Sequence, residues 1–248
     1  MELYRLVLYI IFGVLPSLVW LLYYLKKDLH PEPKKMILKV FLYGAAVTLP
    51  ALLIQIGLAE LSKQLQQFYF FKTFPVAIDI IKWFIVIALT EEILKYAVVK
   101  FTVLKDSVLD EPLDVMLYMV VVALGFSAME NILYLFSPVQ NMTFNAIITS
   151  TIVVSFIRFI GATFLHTLCS ALLGYFLALS FLKARQRLPL TIIGIVLATL
   201  LHGLYDFSII TLDAPLNFIT PVLVIVGLAV FMVYDFDEIK KIKSICKI

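Results

Sequence analysis

Seven stretches of this chain each reach or exceed the ~20 apolar residues that a bilayer's hydrocarbon core requires, and that limits what it can fold into. Hydrocarbon offers no water to pair with backbone N–H and C=O groups, so only helices and closed barrels cross it. Continuous apolar runs of this length are helices. They cover roughly 5–25, 37–60, 76–101, 113–136, 146–181, 189–211 and 216–235. The fold predicted is all-α, a polytopic membrane helix bundle of about seven transmembrane helices. The chain is 62% hydrophobic and 15% charged, whereas soluble domains are about a quarter charged. No stretch is polar enough for a separate soluble domain, so residues 1–248 read as a single integral-membrane domain.

Two spans need comment. The fifth is too long for a straight crossing, so it must tilt, break near Gly161 or project beyond the bilayer. The first, Leu6 to Leu25, has Glu2 and Arg5 before it and no small-x-small cleavage site before Lys26, which reads as a retained signal anchor. Cys169 lies in an apolar run and Cys246 in the basic tail, so no disulfide framework is inferred.

The formal net charge of +3 reports topology, not affinity for nucleic acid. Lysine and arginine crowd the first connector (Lys26, Lys27, Lys34, Lys35), the fifth (Lys183, Arg185, Arg187) and the tail (Lys240, Lys241, Lys243, Lys247). The connectors Ser137–Asn145 and Asp213–Pro215 carry none. The positive-inside rule then predicts a multi-pass protein of the cell membrane with its N-terminus outside and its C-terminus in the cytoplasm. An odd number of spans likewise demands termini on opposite sides. The aromatic run Phe68 to Phe74 falls on the outer side, as an interfacial belt or as a surface loop gating access.

Against this apolar background, Glu91 and Glu92 stand side by side in mid-span. A charge near the bilayer centre costs at least ~2.5–3.5 kcal/mol, and adjacent carboxylates also repel. Lys95 lies at i+4 from Glu91 and i+3 from Glu92, on a shared helix face. It can neutralise one glutamate; the other is left to work as a general base or acid. A structural ion pair explains one glutamate with Lys95, but not two.

Further polar groups occupy three other spans. Glu130 can coordinate a metal, bond a histidine or hold a water; Asn131 beside it can donate to an oxyanion or bridge helices. His166 follows Arg158 by eight residues, and Arg158 suits a carboxylate or a lipid headgroup more than chemistry. His202 and Asp206 are spaced i to i+4, so the carboxylate can fix the imidazole's tautomer. Gly203 permits close approach by a backbone or a substrate. At 1.5 Å per residue, Glu91, Glu130, His166 and His202 fall within ~5 Å of a common depth, which points to one active site within the bilayer.

The ordered set Glu91-Glu92-x-x-Lys95, Phe126-x-x-x-Glu130-Asn131-Ile-Leu-Tyr134, Arg158 with His166, and Leu201-His202-Gly203-x-Tyr205-Asp206-Phe207 resembles the PrsW family of intramembrane proteases. That family is related to the CAAX prenyl protease and bacteriocin-processing group. The pattern from Tyr24 to Pro33 also looks like that family's. Two departures from the wider group favour the PrsW branch: Lys95 follows the glutamate pair after two residues where Arg usually follows after three, and Glu130-Asn131 replaces a Phe-x-x-x-His motif. The resemblance implies an endopeptidase acting on single-span membrane proteins, with an anti-sigma factor as the best-known type of substrate.

Two mechanisms are compatible with these residues. In one, His166, His202 and Glu130 are candidate ligands for zinc, and Glu91 or Glu92 is the base. In the other, a glutamate activates water without metal while the histidines and Asn131 stabilise the oxyanion. The lack of a His-Glu-x-x-His helix tips the balance toward the second. A proton- or ion-coupled transporter, or a non-catalytic scaffold, is the competing class. No internal repeat of the transporter kind is visible. Since Glu130 and His166 fall in the outer half, the scissile bond is expected near the outer side, in an extended substrate segment.

Overall fold

The computed structural model describes residues 3–26, 30–106, 108–109, 111–136 and 143–240, with side chains omitted at 184 and 235–240. Lys27 and Asp28, the fourth connector at 137–142, and Cys246 with the tail lysines Lys241, Lys243 and Lys247 lie outside the described residues. Among the described residues every regular element is helical. These are α1 (Leu3–Leu25), α2 (Lys34–Leu65), the short α3 (Tyr69–Thr73) and α4 (Val76–Ile80), α5 (Thr90–Thr102), α6 (Pro112–Leu135), α7 (Phe144–Ile160), α8 (Ala162–Leu182), α9 (Arg187–Thr211) and α10 (Leu216–Lys240). A π-helical segment, Ile81–Leu89, joins α4 to α5, and a turn of 3₁₀-helix, Ala184–Gln186, precedes α9.

Six stretches are long and apolar enough to cross a membrane: α1, α2, α6, α7 with α8, α9 and α10. The protein is thus an all-α polytopic membrane bundle. The expected third span is helical too, from Val76 to Thr102 through the π-helical segment. It does not meet the same measure because Asp79, Lys82, Glu91, Glu92, Lys95 and Lys100 interrupt its apolar run. The expected fifth span does break at Gly161, whose φ of −94° and ψ of −99° separate α7 from α8.

α6 is the axis of the bundle. Residues Pro112 through Ala128 are buried without interruption, with α1, α2, α5, α8 and α10 packed around them. Its start is fixed by a reciprocal cap between Glu111 and Asp114, with Pro112 in the first turn where no N–H is needed. Apolar burial contributes little to helix association in lipid, so close backbone packing must do the work. It does so between α2 and α6: a Cβ on Gly44 would lie 2.2 Å from the carbonyl oxygen of Val122. Thr48 Oγ1 adds a hydrogen bond to the Phe126 carbonyl at 3.3 Å.

α1 is tied in by polar contacts from its neighbours. Ser155 of α7 donates to the carbonyl of Phe12 at 2.7 Å, and Trp20 stacks on Phe164 with ring centroids 4.3 Å apart. Outward, α1, α7 and α10 present large apolar side chains such as Leu22, Phe156 and Leu223, all more than half exposed, as a lipid-facing surface requires. The aromatic run forms α3, with Tyr69 the most exposed of its rings.

Candidate active site

α5, α6, α8 and α9 bring Glu91, Glu92, Lys95, Glu130, His166 and His202 into one buried cluster, with Arg158 from α7 behind it. Glu92 and Lys95 have no exposed surface, and their side chains meet at 2.8 Å. Glu92 Oε1 also faces His202 Nδ1 at 3.0 Å, and its other oxygen accepts from Ser170 at 3.4 Å. Both oxygens of Glu92 are therefore engaged. Lys95 Nζ reaches His166 Nδ1 at 2.8 Å and sits 4.6 Å above the Phe126 ring.

Glu91 is held differently. Its Oε1 accepts from the Gln55 amide of α2 at 3.0 Å. Its Oε2 is buried with no hydrogen-bond partner, 3.6 Å from Lys95 Nζ and 3.8 Å from both His166 Nδ1 and His202 Nε2.

Each histidine is oriented by a carboxylate on its far side. His166 Nε2 faces Glu130 Oε2 at 2.9 Å, and His202 Nδ1 faces Glu92. A carboxylate only accepts, so those ring nitrogens carry the protons. His166 Nδ1 is then left to accept from Lys95 Nζ at 2.8 Å, and His202 Nε2 faces Glu91 Oε2 and Asp206 Oδ2. Asp206 Oδ2 approaches His202 Nε2 at 3.4 Å, farther than Glu92 is from Nδ1. Both ring nitrogens of His202 thus face carboxylates, Glu92 at the shorter distance.

Arg158 holds the outer part of the cluster. Its Nη2 pairs with Glu130 Oε2 at 2.7 Å, its Nε donates to Asn131 Oδ1, and its guanidinium lies 4.4 Å over the Tyr134 ring. Asn131 Nδ2 is committed to the Gly13 carbonyl at 3.2 Å and to Thr163 Oγ1 at 3.0 Å. Its side chain bridges α1, α6, α7 and α8, which is the helix-bridging role. Gly203 admits the π-helical segment: a Cβ there would stand 2.8 Å from the Phe84 ring. His30, away from the cluster, pairs with Glu111 at 2.8 Å.

Gln55, Thr163 and Ser170 join the site through contacts visible only in the fold. Gln55 is a lone amide in the apolar run Ala51-Leu-Leu-Ile-Gln55-Ile, so the rule that singled out the glutamates also applies to it. Thr163 and Ser170 flank His166 at helical spacing, too common a pattern to stand out.

A sequence family described as "PrsW family intramembrane metalloprotease" matches residues 32–234. The chain belongs to the PrsW family. Among relatives, the protein called Protease PrsW of Oceanobacillus iheyensis is 29% identical over 213 residues, covering 86% of this chain and 88% of that one. Its namesake in Geobacillus kaustophilus is 31% identical over 199 residues, covering 80% and 78%. The Bacillus subtilis Protease PrsW is 28% identical over 214 residues, covering 86% and 87%. No solved structure matches. This PrsW family member is an intramembrane protease.

The family's description implies a metal, and the donor set can be tested against one. Glu91, His166 and His202 offer ligand atoms that all lie within 4.8 Å of one another. Glu91 Oε2, His166 Nδ1 and His202 Nε2 face one space, and a carboxylate with two imidazoles is a zinc-type set. Carboxylates behind both rings match the outer-shell support of metal-bound histidines. The residues present fit such an ion, provided Lys95 yields His166 Nδ1.

Proposed function

We propose that this PrsW protease is a metal-dependent endopeptidase that cleaves single-span membrane proteins, an anti-sigma factor among them, with Glu91, His166 and His202 as the metal-holding residues. The observation that carries this reading is Glu91 Oε2, which has no hydrogen-bond partner and lies 3.8 Å from a ring nitrogen of each histidine. The sequence left Glu130 as a candidate ligand and the glutamate pair as the base. The contacts support the exchange of those roles between Glu91 and Glu130.

When bound, a zinc-type ion supplies a Lewis acid and a water that ionises near neutral pH. The protein's own residues then have separable tasks. Glu130 spends Oε2 on Arg158 and His166, while Oε1 has no partner among the described residues. Glu130 is more exposed than Glu91, at 28% of its side chain against 7%. Oε1 is the atom that takes the proton of the attacking water and returns it to the leaving amine. Glu92 orients His202, Lys95 balances the glutamate pair, and Arg158 and Asn131 fix Glu130. Burial of Glu92, Lys95 and the two histidines places their fixed charges in a low dielectric.

The lysine and arginine bias supports an N-terminus outside and a cytoplasmic C-terminus, and the position of Glu130 and His166 in the outer half of their spans supports a cut near the outer side. The test is co-reconstitution in liposomes with a tagged single-span anti-sigma factor, with and without chelator. Cleavage that chelator abolishes and added zinc restores is expected. Unchanged cleavage in a chelated, metal-free sample would overturn the metal assignment.

A further inference from the structure

A cleft of about 360 Å³ opens onto the site between α2 and α6. Thr48 and Gln55 on α2, Glu91 on α5, and Glu130, Leu133 and Tyr134 on α6 line it. Its position follows from the packing. α2 and α6 are pinned together at Gly44, Gly125 and the Thr48–Phe126 bond. The next turns of each helix, at Gln55 and at Glu130 to Tyr134, form the cleft walls. Its volume falls within the range of ligand clefts, about 300–1,000 Å³.

Its chemistry identifies an occupant. A peptide bond is accessible to hydrolysis only after its helix unwinds, and unwound backbone in a membrane must find partners in protein. Gln55 meets that need. One N–H of its amide goes to Glu91 Oε1; the second N–H and the carbonyl oxygen have no partner among the described residues. That leaves one donor and one acceptor, the complement of a peptide group. The larger groove between α8, α9 and α10, about 510 Å³, is lined almost wholly by apolar side chains such as Leu201, Leu223 and Phe231. It provides no such pairing.

We propose that the α2–α6 cleft receives the substrate as an extended, unwound peptide segment, and that Gln55 binds that segment's backbone while positioning Glu91. The proposal rests on the protease reading above and deepens it by giving the route and the residue that receives the chain. Gln55 is a binding and positioning residue, coupling occupancy of the cleft to the geometry of the triad.

The experiment places a benzophenone amino acid at position 52, 134 or 223, replacing Leu52, Tyr134 or Leu223, in a Glu91→Gln protein. Each protein is reconstituted with the tagged single-span anti-sigma factor and irradiated. All three sites are exposed, so folding should survive. Crosslinks at 52 and 134 at least ~5-fold above those at 223 are expected; equal or reversed yields would overturn the cleft as the route. In the otherwise unaltered protein, Gln55→Leu should lower kcat/KM at least ~10-fold, the scale of a lost hydrogen bond to a charged group. KM should rise and kcat should fall, whereas a merely structural loss would reduce active protein and leave KM unchanged. An unchanged KM would overturn the role of Gln55. Wild-type cleavage of the probe without crosslinks at 52 and 134 sinks the cleft alone; wild-type failure to cleave sinks the reading beneath it.

Discussion

Lys95 allows two adjacent glutamates to be buried at once. Its ammonium touches Glu92 at 2.8 Å and stands 3.6 Å from Glu91, with no exposed surface of its own. Removing one partner of a buried pair costs about 3–5 kcal/mol, because the other charge is left uncompensated. Lys95→Met should therefore lower stability by about that much in a detergent unfolding titration, and abolish cleavage. A second prediction concerns Arg158, which serves Glu130 and Asn131 through different nitrogens. A lysine has one nitrogen on a flexible stem and cannot reproduce that fork. Arg158→Lys should remain folded but cleave on the order of 10-fold more slowly, measured as kcat on the anti-sigma probe. These residues were legible in the sequence because a lone charge in an apolar run requires a reason. Their pairing was not: which glutamate meets Gln55, and that Glu92 pins His202, depends on side chains from four helices, which spacing along one helix cannot specify.

Among the helices, the decisive contact is the one that lets α2 approach α6. A Cβ on Gly125 would fall 1.9 Å from the carbonyl oxygen of Phe41, against backbone that cannot rotate away. Gly125→Ala should separate the two helices and cost about 1–3 kcal/mol, the range for overpacking. Gly57→Ala on the same α2, where nothing lies within 4 Å, should unfold like the parent protein. Thermal unfolding of the two variants side by side checks this. The apolar runs of α1, α2, α6, α9 and α10 were readable directly, whereas the break at Gly161 was one of three ways to fit an overlong fifth span. The segment Val76–Thr102 was readable as helical but not as a path with a π-helical middle. That segment, Ile81–Leu89, packs Phe84 against Gly203, a tertiary contact that gives no periodic signal of its own.

Across the whole molecule, the proposed orientation rests on the charge bias of the connectors. Gln186 lies in the basic fifth connector and is exposed. A Gln186→Cys variant in a Cys246→Ser background should resist membrane-impermeant thiol reagents in intact cells and react after permeabilisation. Free reaction from outside would reverse the orientation. Mapping product termini should place the cut near the outer side of the substrate's span. A cut well inside its cytoplasmic part would contradict the depth of Glu130 and His166.

The proposed place of Glu91 at the reacting centre is tested most directly by one measurement. Purified Glu91→Gln protein, shown to be folded, is assayed for cleavage of the anti-sigma probe beside the wild type. Glutamine keeps the volume and the neighbour at Gln55 but removes the charged oxygen that faces both histidines. The rate should fall at least ~10²-fold, the scale of a lost catalytic group, and bound zinc should fall with it. Full cleavage by folded Glu91→Gln protein would contradict the account.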